Sequence, residues 1–179
     1  LHSAGFFNSN QWNQILDLNY SQPDKLKYSN ENILNTLRKI GSPLQGHPER
    51  VMLPFLETTS GPLGSGLSQG IGICLGNRLK GLENKVVVVM GDGEHNEGNV
   101  WEAVMLANKY RLSNLLVIVD RNMIQIDGNT EDVLPLGDLG KKYEAFGWKS
   151  IEIDGNSISE LDKAVKYFVN SKLETPVVI

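Results

Sequence analysis

From Lys85 onward the apolar positions alternate between two patterns. "KVVVVM" (85–90) is a continuous β-branched run, which predicts a strand buried on both faces of a parallel sheet. "EGNVWEAVMLANKYRL" (97–112) then places Val100, Trp101, Val104, Ala107 and Tyr110 on one stripe, the spacing of an amphipathic helix. "NLLVIV" (114–119) predicts a second buried strand, "KKYEAFGW" (141–148) a short helix and "KSIEID" (149–154) a third strand. "SISELDKAVKYFVNSKL" (157–173) predicts a further helix, and "PVVI" (176–179) a fourth strand. This alternation predicts an α/β fold, a parallel sheet flanked by helices on both faces with right-handed crossovers.

The first 56 residues read differently, as helices and loops. "PDKLKYSNENILNTLRKIG" (23–41) sets Ile33, Leu34, Leu37 and Ile40 at helical spacing, with Gly41 as the stop. "SPLQGHPERVMLP" (42–54) reads as an irregular connection. In "TTSGPLGSGLSQGIGICLGNRLKG" (58–81) the expectation is a loop through Leu63 and Gly64, then a helix to about Lys80. Each glycine inside a helix costs about 1 kcal/mol against alanine. Gly70, Gly72 and Gly76 are therefore read as sites of tight packing, and the loop glycines as the functional candidates. Trp101 and Trp148 are expected to fill core, Cys74 to be a small buried hydrophobe, and His95 to be a turn residue.

Composition adds exclusions. The 179 residues suit one domain, taken as 1–179, with 40% hydrophobic and 21% charged residues. A net charge of -4 without a basic block argues against nucleic acid as a partner. No apolar run approaches the roughly 20 residues that span a bilayer, so no membrane is expected. The single cysteine cannot form an internal disulfide and fits a reducing, cytoplasmic setting. The chain opens at Leu1 and stops in "TPVVI", the reading of a strand, so it is expected to be part of something larger.

The chemistry concentrates where strands end. "GDG" (91–93) sets a carboxylate, Asp92, between glycines where a phosphate would otherwise approach backbone. Ligands of open parallel sheets bind beyond the carboxyl ends of the strands. If the strands ending before Gly91 and Asp120 are neighbours, their ends lie about 4.8 Å apart. Asp92 and Asn122 would then present oxygens to one point, suited to a hard cation such as magnesium or calcium with open positions for ligand phosphates. The cation resolves the repulsion: Asp92 holds the metal, and the metal holds a diphosphate. The helix starting near Asn96 adds dipole and donors at the same edge. A G-x-G-x-x-G dinucleotide loop would need glycine where Asn96 stands, and no G-x-x-x-x-G-K-[ST] loop occurs. A plain Asp-Gly turn is the competing explanation of residues 91–93.

Gly-Asp-Gly followed about thirty residues later by asparagine resembles the motif that anchors thiamine diphosphate through a divalent metal. Within that group, "GDGEHNEGNVWEAVMLANKYRLSNLLVIVDRNMIQIDG", "TTSGPLGSGLSQGIG", "GHPE" (46–49) and "YEAFGW" (143–148) resemble transketolase, in the family's order and over nearly the whole chain. The resemblance implies Asp92, Asn122 and the Ile124 backbone carbonyl as metal ligands for Mg2+ or Ca2+. It implies Gly91 and Gly93 beside the diphosphate, and Gly61 and Leu63 beside the aminopyrimidine and thiazolium rings. His47 is similar to a histidine that binds the sugar's hydroxyls, and His2 to a second, although Phe6 and Phe7 replace the usual ending of its motif. Glu97 matches a carboxylate of an acidic network across the subunit interface. Ser65 and Asn96 stand where glutamine is common, and neither ligates the metal.

The implied reaction moves a two-carbon ketol unit from a ketose phosphate to an aldose phosphate, a step of carbohydrate metabolism such as the pentose phosphate pathway. Implied partners are sugar phosphates and a pyrimidine-binding domain or carboxy-terminal subunit, which in the family donates the glutamate on the aminopyrimidine ring. A homodimer or heterotetramer through the Glu97 region follows. Two alternatives stay open: a thiamine diphosphate enzyme using formaldehyde, an unphosphorylated sugar or a 2-oxo acid, and a non-catalytic cofactor-binding or assembly module.

Overall fold

A computed structural model describes residues 34–53, 56–126 and 128–179. The chain divides into two compact units at Gly61–Pro62. In the first, the described part of the segment predicted as a helix through Ile40 forms a 3-10 turn at Leu34–Thr36 rather than α-helix, and residues 23–33 of that segment lie outside the described residues. Arg38 (φ 63) and Gly41 (φ 82) turn the chain back. The Arg38 amide donates to the Leu44 carbonyl at 2.8 Å, and the Thr36 and Ser42 hydroxyls meet at 2.7 Å. These cross-turn bonds replace helical ones, which leaves Leu37 and Ile40 exposed. Ile33 lies outside the described residues.

The second unit is the α/β body. Its elements are α1 (Ser65–Leu79), β1 (Val86–Gly91), α2 (Gly98–Lys109), β2 (Leu115–Asp120), β3 (Ile124–Gln125), β4 (Gly128–Asn129), α3 (Thr130–Val133), α4 (Leu139–Ala145), β5 (Lys149–Ser150), α5 (Ile158–Asn170) and β6 (Val177–Val178). Four strands form one sheet in the order β1-β2-β6-β5, every pair parallel. Register runs from Val86 opposite Leu115 to Gly91 opposite Asp120. One face packs Met90, Leu115, Val117 and Val178 against Leu67, Ile71, Val104 and Tyr143 of α1, α2 and α4. On the other, Leu116 and Val177 meet Phe168 of α5. Trp148 and Cys74 are buried and Trp101 packs against the same core, in line with their expected roles.

Two expectations need correction. β1 is an edge strand, and alternate side chains of a strand point to opposite faces. Val86, Val88 and Met90 therefore reach the core, whereas Val87 and Val89 are 52% and 70% exposed. The glycines of α1 also differ among themselves. A Cβ on Gly70 would sit 2.5 Å from Val88 Cγ2, so this one is required where α1 crosses β1. A Cβ on Gly72 or Gly76 would meet nothing within 4 Å among the described residues, so packing against those residues does not explain them. The short elements between Gly93 and Val133 carry too few apolar residues to show a period and went unpredicted.

Candidate functional site

β1 and β2 are the sheet neighbours that the sequence suggested, joined through α2, and they end side by side. Asp92 follows β1 with its amide donating to the Asp120 carbonyl at 3.2 Å. Its side chain turns inward and is 1% exposed. Oδ1 accepts from the Gly93 amide at 2.7 Å. Oδ2 accepts from the Met123 amide at 2.9 Å, Arg121 Nη1 at 3.1 Å and Thr130 Oγ1 at 3.2 Å. A buried carboxylate is tolerated only when paired and hydrogen-bonded, and here every partner comes from the same end of the sheet. Met123 takes a positive φ of 64 to aim its amide, a conformation uncommon outside glycine. A Cβ on Gly93 would lie 2.8 Å from Gln125 Cβ, so glycine alone fits there. Among the described residues, a Cβ on Gly91 would meet nothing within 4 Å.

Asn122 follows β2 and is exposed. Its Oδ1 accepts from the Ile124 amide at 2.9 Å and its Nδ2 donates to Asp120 Oδ2 at 3.2 Å. Asp92 and Asn122 thus share one end of the sheet while bonding to different groups. Among the described residues no three His, Cys, Asp or Glu side chains cluster as a metal cage. The donors that the sequence reading names here are instead one carboxylate, Asp92, one amide, Asn122, and one backbone carbonyl, that of Ile124. All are hard oxygens, and Oδ1 of Asp92 keeps a lone pair beyond its bond to Gly93. That chemistry fits magnesium or calcium.

The loop carrying Leu63 is fastened to the segment after β1. The Gly64 amide donates to Glu94 Oε1 at 2.5 Å, and Asn99 Nδ2 donates to the Leu63 carbonyl at 3.1 Å. Gly64 has φ 78, and a Cβ there would sit 1.9 Å from Asn99 Oδ1, a buried oxygen with no hydrogen-bond partner among the described residues. Leu63 itself is exposed. Sequence reasoning passed over Glu94, Asn99, Arg121 and Thr130. The faint signal was a run of polar residues directly after two apolar strands.

His47 and Gly61 lie together in the first unit: a Cβ on Gly61 would be 3.5 Å from His47 Cβ. The Ser60 amide donates to the Pro48 carbonyl at 3.0 Å and the Arg50 amide to Thr59 Oγ1 at 3.0 Å, which ties "GHPE" to "TTSG". His47 is exposed. His2 lies outside the described residues. Glu97 is exposed and begins α2 without a side-chain cap.

His95 is a core residue rather than the turn residue expected, and is 1% exposed. Its Nδ1 lies 2.9 Å from the Gly91 carbonyl and its Nε2 2.9 Å from the Tyr143 hydroxyl. A carbonyl only accepts, so Nδ1 carries the proton and Nε2 accepts from Tyr143. Burial lowers the His95 pKa, against smaller raising effects from the Gly91 and Asp92 backbone and two carboxylates. Burial likewise raises that of the Tyr143 hydroxyl. The pair pins the start of the Gly-Asp-Gly turn to α4.

Residues 18–179 match the family described as "Transketolase, thiamine diphosphate binding domain". One subunit of an apulose-4-phosphate transketolase from Phocaeicola vulgatus is 40% identical over 129 residues, 72% of this chain and 46% of the relative. A 6-deoxy-6-sulfo-D-fructose transketolase subunit of a Clostridium species is 38% identical over 134 residues, 75% and 49% of the two chains. The chain thus spans about half the length of these curated relatives. A transketolase crystal structure from Campylobacter jejuni superposes with a TM-score of 0.75 at 27% identity, over 82% of this chain and 24% of that one. A parallel sheet ending in a buried aspartate, with these matches over most of its length, makes this chain a member of the transketolase thiamine diphosphate-binding domain family.

Proposed function

We propose that the whole chain, 1–179, is the diphosphate- and metal-binding half of a transketolase that transfers a two-carbon ketol unit between sugars. The observation that carries this reading is Asp92, buried at the carboxyl end of β1 and bonded to the segment that bears Asn122 and Ile124. Asp92, Asn122 and the Ile124 carbonyl would hold Mg2+ or Ca2+, with Gly91 and Gly93 leaving room for the diphosphate. Gly61 and Leu63 would line the rings. Thiamine diphosphate, when bound, supplies the electron sink for breaking and forming the ketol carbon–carbon bond. His47 would bind hydroxyls of the sugar and orient it.

The relatives are named as transketolase subunits, which supports a separate partner chain for this one. That partner is read as the source of the pyrimidine-binding domain and its glutamate, with the Glu97 surface as the contact. The relatives' names carry a sugar phosphate in one case and a sulfosugar in the other, so the donor is read as a ketose with an anionic end. The single, buried cysteine supports a reducing, cytoplasmic setting.

Assay of ketol transfer with this chain, with a purified pyrimidine-binding half, and with both tests the proposal. The expected outcome is turnover only in the mixture, at a rate set by the concentrations of both. Robust turnover by these 179 residues alone would overturn the division of labour. In the active mixture, His47→Ala should reduce substrate use by roughly 1–3 kcal/mol of lost polar contact while cofactor binding holds. Loss of cofactor with unchanged kinetics in the remaining holoenzyme would remove His47 from that role.

A further inference from the structure

Arg121, the first residue past β2, bridges two carboxylates. Its Nη1 lies 3.1 Å from Asp92 Oδ2, and its Nη2 lies 2.6 Å from Glu131 Oε1 and 3.4 Å from the Gly137 carbonyl. Glu131 in turn accepts from the Leu136 amide at 3.0 Å and the Gly137 amide at 3.2 Å. It is placed by Asn129, whose Oδ1 caps the Glu131 amide at 2.9 Å. The guanidinium thus ties the end of β1 to the 131–137 loop. The hydrogen bond from Arg121, with those from the Leu136 and Gly137 amides, lowers the pKa of the Glu131 carboxyl, which therefore stays charged.

A cation beside the carboxylate read as a metal ligand needs a reason, because it repels a divalent ion. The arrangement supplies one. Among the described residues Arg121, Met123 and Thr130 all bond to Oδ2, whereas Oδ1 has only the Gly93 amide. The brace therefore occupies one oxygen and leaves lone-pair capacity on the other. Glu131 offsets the guanidinium charge, so Asp92, Arg121 and Glu131 together stay net negative.

We propose that Arg121 and Glu131 form a charge-balanced brace that holds Asp92 in place before the metal arrives and keeps the cluster attractive to it. Arg121 is a positioning residue: without metal it stabilises the buried carboxylate on Oδ2, and Glu131 preserves the negative charge that recruits the ion. The inference rests on the reading of Asp92 as a metal ligand.

The test uses the assembled enzyme, this chain with its pyrimidine-binding partner. Thermal melting is followed with and without Mg2+, and Mg2+ is titrated calorimetrically at saturating thiamine diphosphate. Arg121→Met should lower the melting temperature of the metal-free protein and enlarge the rise that Mg2+ produces, because the ion then supplies the missing positive charge. Glu131→Gln should weaken Mg2+ binding on the order of tenfold, the effect of one charge acting through a partly solvated site. A Mg2+-induced rise in Arg121→Met no larger than in wild type, or unchanged Mg2+ affinity in Glu131→Gln, would overturn the brace alone. No Mg2+ response in wild type would overturn the metal reading and the brace with it. Should Arg121→Met not fold, the Glu131→Gln titration decides by itself.

Discussion

The segments that leave β1 and β2 end at the same sheet edge yet are built in opposite ways. After β1, Asp92 and His95 are almost fully buried and each polar atom of their side chains is bonded inside the fold. After β2, Asn122 and Ile124 are exposed, and among the described residues Asn122 bonds only within its own turn and to Asp120. The first segment is made by the core; in the second, Arg121 and Met123 reach back to Asp92 while Asn122 is held by local turn chemistry. Substitutions in the first should therefore disturb fold and site together, while those at Asn122 should separate the two.

Asp92→Ala gives the largest expected effect. It removes the acceptor of Arg121, the Met123 amide and the fully buried Thr130. A buried pair broken on one side costs about 3–5 kcal/mol, with the lower end fitting a guanidinium that stays partly exposed. Urea denaturation without metal reads the loss, and an unfolding midpoint equal to wild type would show that the carboxylate does not organise this edge. Gly64→Ala comes next, at roughly 1–3 kcal/mol, because the methyl meets Asn99 and the residue has φ 78. Its second readout is thiamine diphosphate affinity, which should fall if the Glu94–Gly64 bond aligns Leu63.

The His95–Tyr143 pair predicts a pH dependence. The folded pKa of His95 lies below its ordinary 6.5, so the unfolded chain takes up the proton first on acidification. The pair's contribution is complete above that value and declines as pH falls below it, until the folded pKa is reached. His95→Gln should flatten this part of the stability profile, measured by denaturation between neutral and mildly acidic pH. Tyr143→Phe should cost about 1–2 kcal/mol at neutral pH by leaving Nε2 unpaired. An unaltered slope in His95→Gln would remove the histidine from the pH response.

Asn122→Ala has the smallest expected effect on the fold, within about 0.5–1 kcal/mol for an exposed turn bond. It should nevertheless weaken Mg2+-dependent binding of thiamine diphosphate, as titration would detect. A variant that loses stability but binds cofactor normally would reverse the contrast between the two segments.

Much of this molecule was readable from its chain. Apolar patterns locate β1, α2, β2 and α5, the glycine-rich stretch after Gly64 reads as the helix α1, and the alternation requires a parallel sheet with helices on both faces. Because parallel strands expose their carboxyl ends together, the spacing of Gly-Asp-Gly and Asn122 already placed both residues at one edge. Tertiary contacts decided the rest. The edge position of β1, which leaves Val87 and Val89 uncovered, depends on which strand pairs with which. The requirement for Gly70 but not Gly72 depends on where α1 crosses Val88. His95 became a core residue because Tyr143, far along the chain, supplies its second hydrogen bond. Arg121 faces both Asp92 and Glu131 only because β2 and α3 bring them within reach of one guanidinium. Periodicity records which face of an element is buried, whereas a buried polar contact is set by distant residues whose own positions depend on the completed fold.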